Sequence, residues 1–223
     1  MSQAIGGGGS GGIAKVLVVG NVATGKTSVI NRFARNKFSK DYQTTIGVDF
    51  ALKRVRMGSS ELNVQLWDIA GQERFAGLSR IFYTHAVAAV IVYDVTSRET
   101  FDAVLKWKQD IDAKVFLPSG AKIPVLLLGN KSDLLGGEAG VQPCVSPDEL
   151  RAFVQQHDFF AAAECSAATG HNVKESCINL VTKIHQNNQT EMNAPQDKPQ
   201  APEPASQPVA LSAPVEKKGG CCG

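Results

Sequence analysis

The chain predicts a three-layer α/β fold: a six-stranded, mostly parallel sheet with one antiparallel strand, and helices on both faces. Three observations carry that prediction. Short apolar runs alternate with helix-periodic segments over residues 13–188, the order in which parallel strands and right-handed crossover helices are laid down. Two of the runs, 88–94 and 123–129, are nearly all apolar, as strands covered on both faces are. The polar motifs follow the carboxyl ends of strands, where ligands bind in such sheets.

Each element has a local cause. Ile13–Val19 is an apolar run stopped by Gly20 and reads as a buried strand. Residues 26–36 carry Val29, Ile30 and Phe33 at helical spacing. Runs 48–57 and 61–69, joined by Gly58-Ser59-Ser60, read as a hairpin. Between the two apolar strands, 98–115 is amphipathic, with Phe101, Val104, Leu105 and Ile111 on one side. Ser146-Pro147-Asp148-Glu149 places Ser at the N-cap, Pro at the first helical position and Glu at the third, which opens a helix to about His157. Phe160–Cys165 makes the last strand, and Asn172 is placed to cap a helix running to about Asn188.

Composition divides the chain into three parts. Residues 1–12 are a Gly-rich flexible segment. Residues 13–188 form one domain, and at 43% apolar residues the chain has material for a sizeable core. Six of the ten prolines fall in 189–223, a composition that cannot bury enough apolar surface to fold alone. A net charge of +2 gives no case for nucleic acid. The longest apolar runs fall short of the ~18–20 residues of a membrane-spanning helix. The five cysteines lack C-x-x-C spacing, which argues against a zinc site or redox pair. Cys165 and Cys177 read as small core residues.

Four motifs then point to a nucleotide. Gly20-Asn21-Val22-Ala23-Thr24-Gly25-Lys26-Thr27 fits G-x-x-x-x-G-K-[ST]. Backbone N–H groups of Gly20, Ala23, Thr24 and Gly25 and the positive end of the next helix suit a polyphosphate. Lys26 is placed for the β- and γ-phosphates. Thr27, Thr45 and Asp68 offer oxygens to Mg²⁺, which prefers an octahedral oxygen shell. Gly71 brings a bare N–H to the γ-phosphate, and Gln72 is placed to orient an attacking water. Asn130, Lys131 and Asp133 read the base, because one carboxylate accepts both the N1–H and the 2-amino group of guanine and so rejects adenine. Ser166 and Ala167 add backbone N–H groups for the guanine oxygen. Loops that close on a γ-phosphate and relax without it make a switch between GTP and GDP.

These residues resemble the Rab family of small GTPases over 13–188 and again at the C-terminus. The marks are Ile46-Gly47-Val48-Asp49-Phe50, Glu73-Arg74-Phe75 and Val92-Tyr93-Asp94. Ile69, Ala51-Leu52-Lys53 and Leu105-Lys106-Trp107-Lys108 look closer to the subgroup serving lysosome-related organelles. The resemblance implies the P-loop GTPase fold, GTP hydrolysis and a vesicle-trafficking role. It implies that Phe38 stacks on guanine, that Tyr42 closes over the phosphates, and that Phe50, Trp67 and Phe82 meet effector proteins. It also implies an exchange factor, a GTPase-activating protein, a Rab escort protein and a GDP-dissociation inhibitor. Cys221-Cys222-Gly223 matches a double-cysteine ending that carries geranylgeranyl groups. Two lipid chains anchor stably where one is marginal, and the resemblance implies the cytoplasmic face of endosomal or lysosome-related vesicles, with a cytosolic pool.

Three positions depart from the pattern. Val22 brings a branched side chain where Gln72 and an incoming arginine must meet the γ-phosphate, which predicts slow intrinsic hydrolysis. Ala23 stands where the loop asks for positive φ, at a cost of ~1–3 kcal/mol. Ala168 replaces the Lys usual after Ser-Ala. Two readings therefore stay open: a cycling GTPase, favoured by Gln72, and a module that holds GTP and hardly turns it over, favoured by Val22 and Ala23. A metabolic P-loop kinase or ATPase is disfavoured by the guanine-reading motif.

Overall fold

The computed structural model describes residues 12–40, 45, 47–58, 60–70, 82–136 and 140–193. Tyr42, Gly71, Gln72, Cys221 and Cys222, together with Ile46, Glu73-Arg74-Phe75 and the Gly-rich start, lie outside the described residues.

Six strands form one sheet in the order β2-β3-β1-β4-β5-β6, where β1 is Ile13–Val19, β2 Val48–Met57, β3 Ser60–Ile69, β4 Ala86–Asp94, β5 Val125–Asn130 and β6 Ala161–Glu164. Only the β2–β3 pairing is antiparallel; the other four neighbouring pairs run parallel. Met57 opposes Ser60, and Gly58 supplies the left-handed turn at φ +63°. The predicted class, strand number and hairpin are all present.

Residues along the central strands alternate between two cores. Val16, Val18, Val90, Val92, Leu126 and Leu128 face one side. There they meet α1 (Lys26–Arg35) through Val29, Ile30 and Phe33, and α5 (Val173–Asn193) through Cys177, Leu180, Val181 and Ile184. Leu17, Val19, Ile91 and Leu127 face the other. They are covered there by α2 (Arg98–Asp102), α3 (Val104–Lys114) and α4 (Pro147–Gln156). Burial on both faces explains why these strands read as unbroken apolar runs. Cys165 and Cys177 are core residues, and burial pushes each thiol up to about 12.

Four details differ from the sequence expectation. The helix predicted over 98–115 is divided at Ala103, whose N–H is shared between the Glu99 and Phe101 carbonyls at φ −73°, ψ −14°. On its buried face Leu105 is only half-buried, while Lys108 is 2% exposed. Its ammonium pairs with Asp112 one turn on, at 2.6 Å, and Asp112 also takes Lys122. Asn172 holds the cap position by its backbone, its carbonyl accepting from Ser176 N–H. Its side chain donates instead to the Glu164 carbonyl. The last helix runs to Asn193 rather than about 188; no Gly or Pro falls within it. The compact unit accordingly extends through Asn193.

Candidate functional site: a nucleotide cleft at the strand ends

The turn after β1 is fixed by two glycines. Gly20 lies against β4, where a Cβ would stand 2.1 Å from the Val92 carbonyl oxygen. Gly25, at φ +89°, opens α1 and lies where a Cβ would meet the Asn130 amide at 2.3 Å. Between them, Thr24 is buried with its hydroxyl on the Asn21 carbonyl at 3.0 Å. Lys26 folds back across the loop and donates to the carbonyls of Gly20 (2.9 Å) and Asn21 (2.8 Å). Burial lowers its pKa to about 8 against the opposing pull of Asp68. Ala23 has φ +63°, as its place in the loop requires. Val22 stands 44% exposed at the crown of the same loop.

Thr27, Thr45 and Asp68 converge. The Thr27 hydroxyl is 2.5 Å from Asp68 Oδ2 and 2.8 Å from the Thr45 hydroxyl, which itself lies 3.4 Å from Asp68 Oδ2. Burial pushes the Asp68 carboxyl upward, opposed by the Thr27 bond and Lys26. Asp68 Oδ1 is buried without a hydrogen-bond partner among the described residues. An orphaned carboxylate oxygen beside two hydroxyls is an oxygen-only donor set, and it fits Mg²⁺.

The side expected to take the base is built from β5, β6 and the turns beyond them. Asn130 is 2% exposed and acts as a tie: its amide donates to the Thr24 carbonyl at 2.9 Å and accepts from Ala167 N–H at 3.0 Å. Lys131 adopts φ +73° and anchors its ammonium on Asp94 at 2.6 Å. Burial works against ionised Asp94, but the Lys131 and Thr96 bonds outweigh it and hold that carboxyl below the ordinary range. Asp133 is exposed, in a 3₁₀ turn (Ser132–Leu134), and one oxygen accepts from the Ser166 hydroxyl at 2.5 Å. Phe38 stands partly exposed beyond α1.

The N–H groups of Ser166 and Ala167, expected to meet guanine, are both engaged within the protein, on His171 O and Asn130 Oδ1. The next N–H, that of Ala168, makes no hydrogen bond among the described residues. Sequence reasoning also missed Asp94 and Trp107. The Trp107 indole N–H reaches Asn21 Oδ1 at 3.0 Å across a separation of 86 residues, and no local pattern signals it. Asp94 did leave a signal, a carboxylate closing the strand beside β1.

Phe50 and Trp67 oppose each other across β2 and β3, their rings 6.1 Å apart and near-parallel at 26°. Phe50 is 51% exposed, on the face of β2 opposite the buried Ala51 and Val55. The Lys15 ammonium sits 3.9 Å from the Trp67 ring centroid. Phe82 is half-buried against the second core.

A Gly-Lys-Thr loop beside an oxygen-only donor set, with a carboxylate-bearing turn after β5, is the arrangement of a P-loop protein for guanine nucleotides. Residues 15–186 match the Ras family, and the chain belongs to it. Within that family the chain is similar to Ras-related protein Rab-32 of Homo sapiens, 45% identical over 82% of this chain and 80% of that one. It is 45% identical to Ras-related protein Rab-7L1 of Rattus norvegicus over 80% of this chain and 85% of the relative. Ras-related protein Rab-32A of Dictyostelium discoideum is 46% identical, over 78% of each chain. The resemblance to Rab GTPases thus extends across the whole nucleotide domain, and the chain is a regulatory GTPase of vesicle trafficking.

Proposed function

We propose that this GTP hydrolase works as a membrane-anchored switch. It binds GTP or GDP with Mg²⁺, and in the GTP state it presents Phe50, Trp67 and Phe82 to effector proteins. The observation that carries the reading is the convergence of Thr27, Thr45 and Asp68. A threonine from the loop after α1 meets the phosphate loop and the end of β3 at one point, so the position of that loop is coupled to what occupies the phosphate site.

Phosphoryl transfer asks a protein mainly for positioning and charge stabilisation. Lys26 and the N–H groups opening α1 hold the triphosphate. Thr27, Thr45 and Asp68 would hold Mg²⁺, which when bound neutralises charge on the phosphate oxygens. Gln72 orients a water for attack on the γ-phosphorus. The bond to the bridging β–γ oxygen breaks, and the water's proton ends on the departing inorganic phosphate, leaving GDP. Asp133 accepts the guanine N1–H and 2-amino group, with Lys131, held by Asp94, beside it and Phe38 against the ring.

Residues 194–223 are the tether, and Cys221 and Cys222 carry geranylgeranyl groups. Among the described residues no helix is long and apolar enough to cross a membrane. Similarity to Rab-32 and Rab-7L1 supports endosomal or lysosome-related vesicles as the destination. It also supports an exchange factor, an activating protein, an escort protein and a dissociation inhibitor as partners.

A second reading, a GTP-held module with little turnover, is favoured by Val22 and Ala23. Single-turnover hydrolysis of preloaded GTP, without any activator, separates the two. A measurable rate that is lost in Gln72→Leu and raised in Val22→Gly supports the switch. Equal, near-zero rates in the unaltered chain and Gln72→Leu support the held module.

A further inference from the structure

Arg32 reaches from the last turn of α1 to the loop beyond β6. Its Nε donates to the Ala167 carbonyl at 2.8 Å and one terminal nitrogen donates to the Ala168 carbonyl at 2.7 Å. The other terminal nitrogen turns back to the Asn36 carbonyl (3.4 Å) and side-chain oxygen (3.3 Å) at the end of its own helix. A planar guanidinium that spans two successive carbonyls fixes the peptide between them in orientation as well as position. That peptide carries the N–H of Ala168, which makes no hydrogen bond among the described residues although both N–H groups before it are engaged, in a half-buried residue. On the other side, Asn130 holds Ala167 N–H and Ser166 holds Asp133.

Taken with the guanine reading above, on which it rests, this geometry leads us to infer that Arg32 is a positioning residue for base specificity. It aims the Ala168 N–H at the 6-oxygen of guanine, while Asp133 takes the N1–H and 2-amino side. The two halves of base recognition then hang on different elements, the carboxylate on the turn after β5 and the N–H on a peptide clamped from α1. Because α1 begins at the phosphate loop, the clamp joins the phosphate-binding helix directly to the loop that reads the base.

The test compares GDP with 6-thio-GDP, which keeps the N1–H and 2-amino groups but carries sulfur, a weak acceptor, in place of the 6-oxygen. Each displaces a fluorescent GDP from the full chain with Mg²⁺, for the unaltered protein, Arg32→Met and Arg32→Lys. Arg32→Lys keeps the charge and cannot span both carbonyls, so it serves if Arg32→Met fails to fold. The expected result is a loss of GDP affinity of roughly tenfold in either variant, with 6-thio-GDP affinity nearly unchanged. Equal losses for the two nucleotides, or no loss for either, in a chain that prefers GDP before substitution would overturn the role of Arg32 alone. An unaltered chain that holds neither nucleotide in preference to ADP would overturn the guanine reading and this inference with it.

Discussion

Removing the Asn130 side chain tests whether one buried amide holds the phosphate and base loops together. Asn130→Ala deletes a donor to the Thr24 carbonyl and an acceptor for Ala167 N–H, at 2.9 and 3.0 Å. Thr24 and Ala167 are both buried, so water does not reach the stranded groups without local opening. Each orphan costs about 1–3 kcal/mol, or about 2–6 kcal/mol for the pair, and no new contact offsets it. In a domain of this size that lowers the melting temperature by roughly 10 °C. Asn130→Asp sharpens the test, since it keeps the acceptor for Ala167 but turns an oxygen toward the Thr24 carbonyl in place of the donor. Thermal unfolding of the GDP-saturated chain gives the stability, and dissociation of a fluorescent GDP gives the coupling. Both variants should melt early and release nucleotide faster. An Asn130→Ala chain that melts within about 2 °C of the original, with unchanged dissociation, refutes the tie.

Two other outcomes follow from the phosphate loop. With Lys26 at about 8 in the folded chain and 10.5 ordinarily, the folded form sheds a proton between those values that the unfolded chain keeps. Nucleotide-free stability therefore rises with pH across that window and is flat below it. Phosphate favours the ammonium, so nucleotide binding takes up protons and weakens as pH passes 8. Calorimetry near pH 8.5 in buffers of different ionisation enthalpy should show the uptake, and its persistence in Lys26→Met would contradict the assignment. Ala23→Gly relieves a φ of +63° worth about 1–2 kcal/mol, less about 0.5–1 kcal/mol for the freer unfolded chain. A small rise in the urea midpoint and slower GDP release are expected, and a lower midpoint would count against strain at this position.

What could be read from the sequence was what a few consecutive residues decide. The Ser146 cap, the hairpin at Gly58, the two-sided strands and the positive φ at Ala23 each follow from local chemistry. The convergence of Thr27, Thr45 and Asp68 was legible because each follows or precedes a recognisable element on one edge of the sheet. Contacts that join distant segments were not legible. Arg32 reads as one more surface cation on an amphipathic helix, and nothing around it announces two carbonyls 135 and 136 residues away. Lys108 misled for the opposite reason: periodicity counts it as polar, whereas its partner Asp112, one turn on, lets it be buried. The engagement of Ser166 and Ala167 N–H depends on how their loop folds on His171 and Asn130, which no motif encodes.

Gly20 carries a consequence for heredity. A side chain there would collide with the backbone of β4 rather than with a movable group, so accommodating it means prying apart the two central strands. Other lesions in a switch of this kind leave a soluble protein that is locked on or off and can act dominantly by occupying its partners. Substitutions at Gly20 should instead remove the protein altogether, since the chain fails quality control before it meets any nucleotide. Alleles at this codon are therefore expected to behave as recessive nulls, although they alter a residue of the phosphate loop itself.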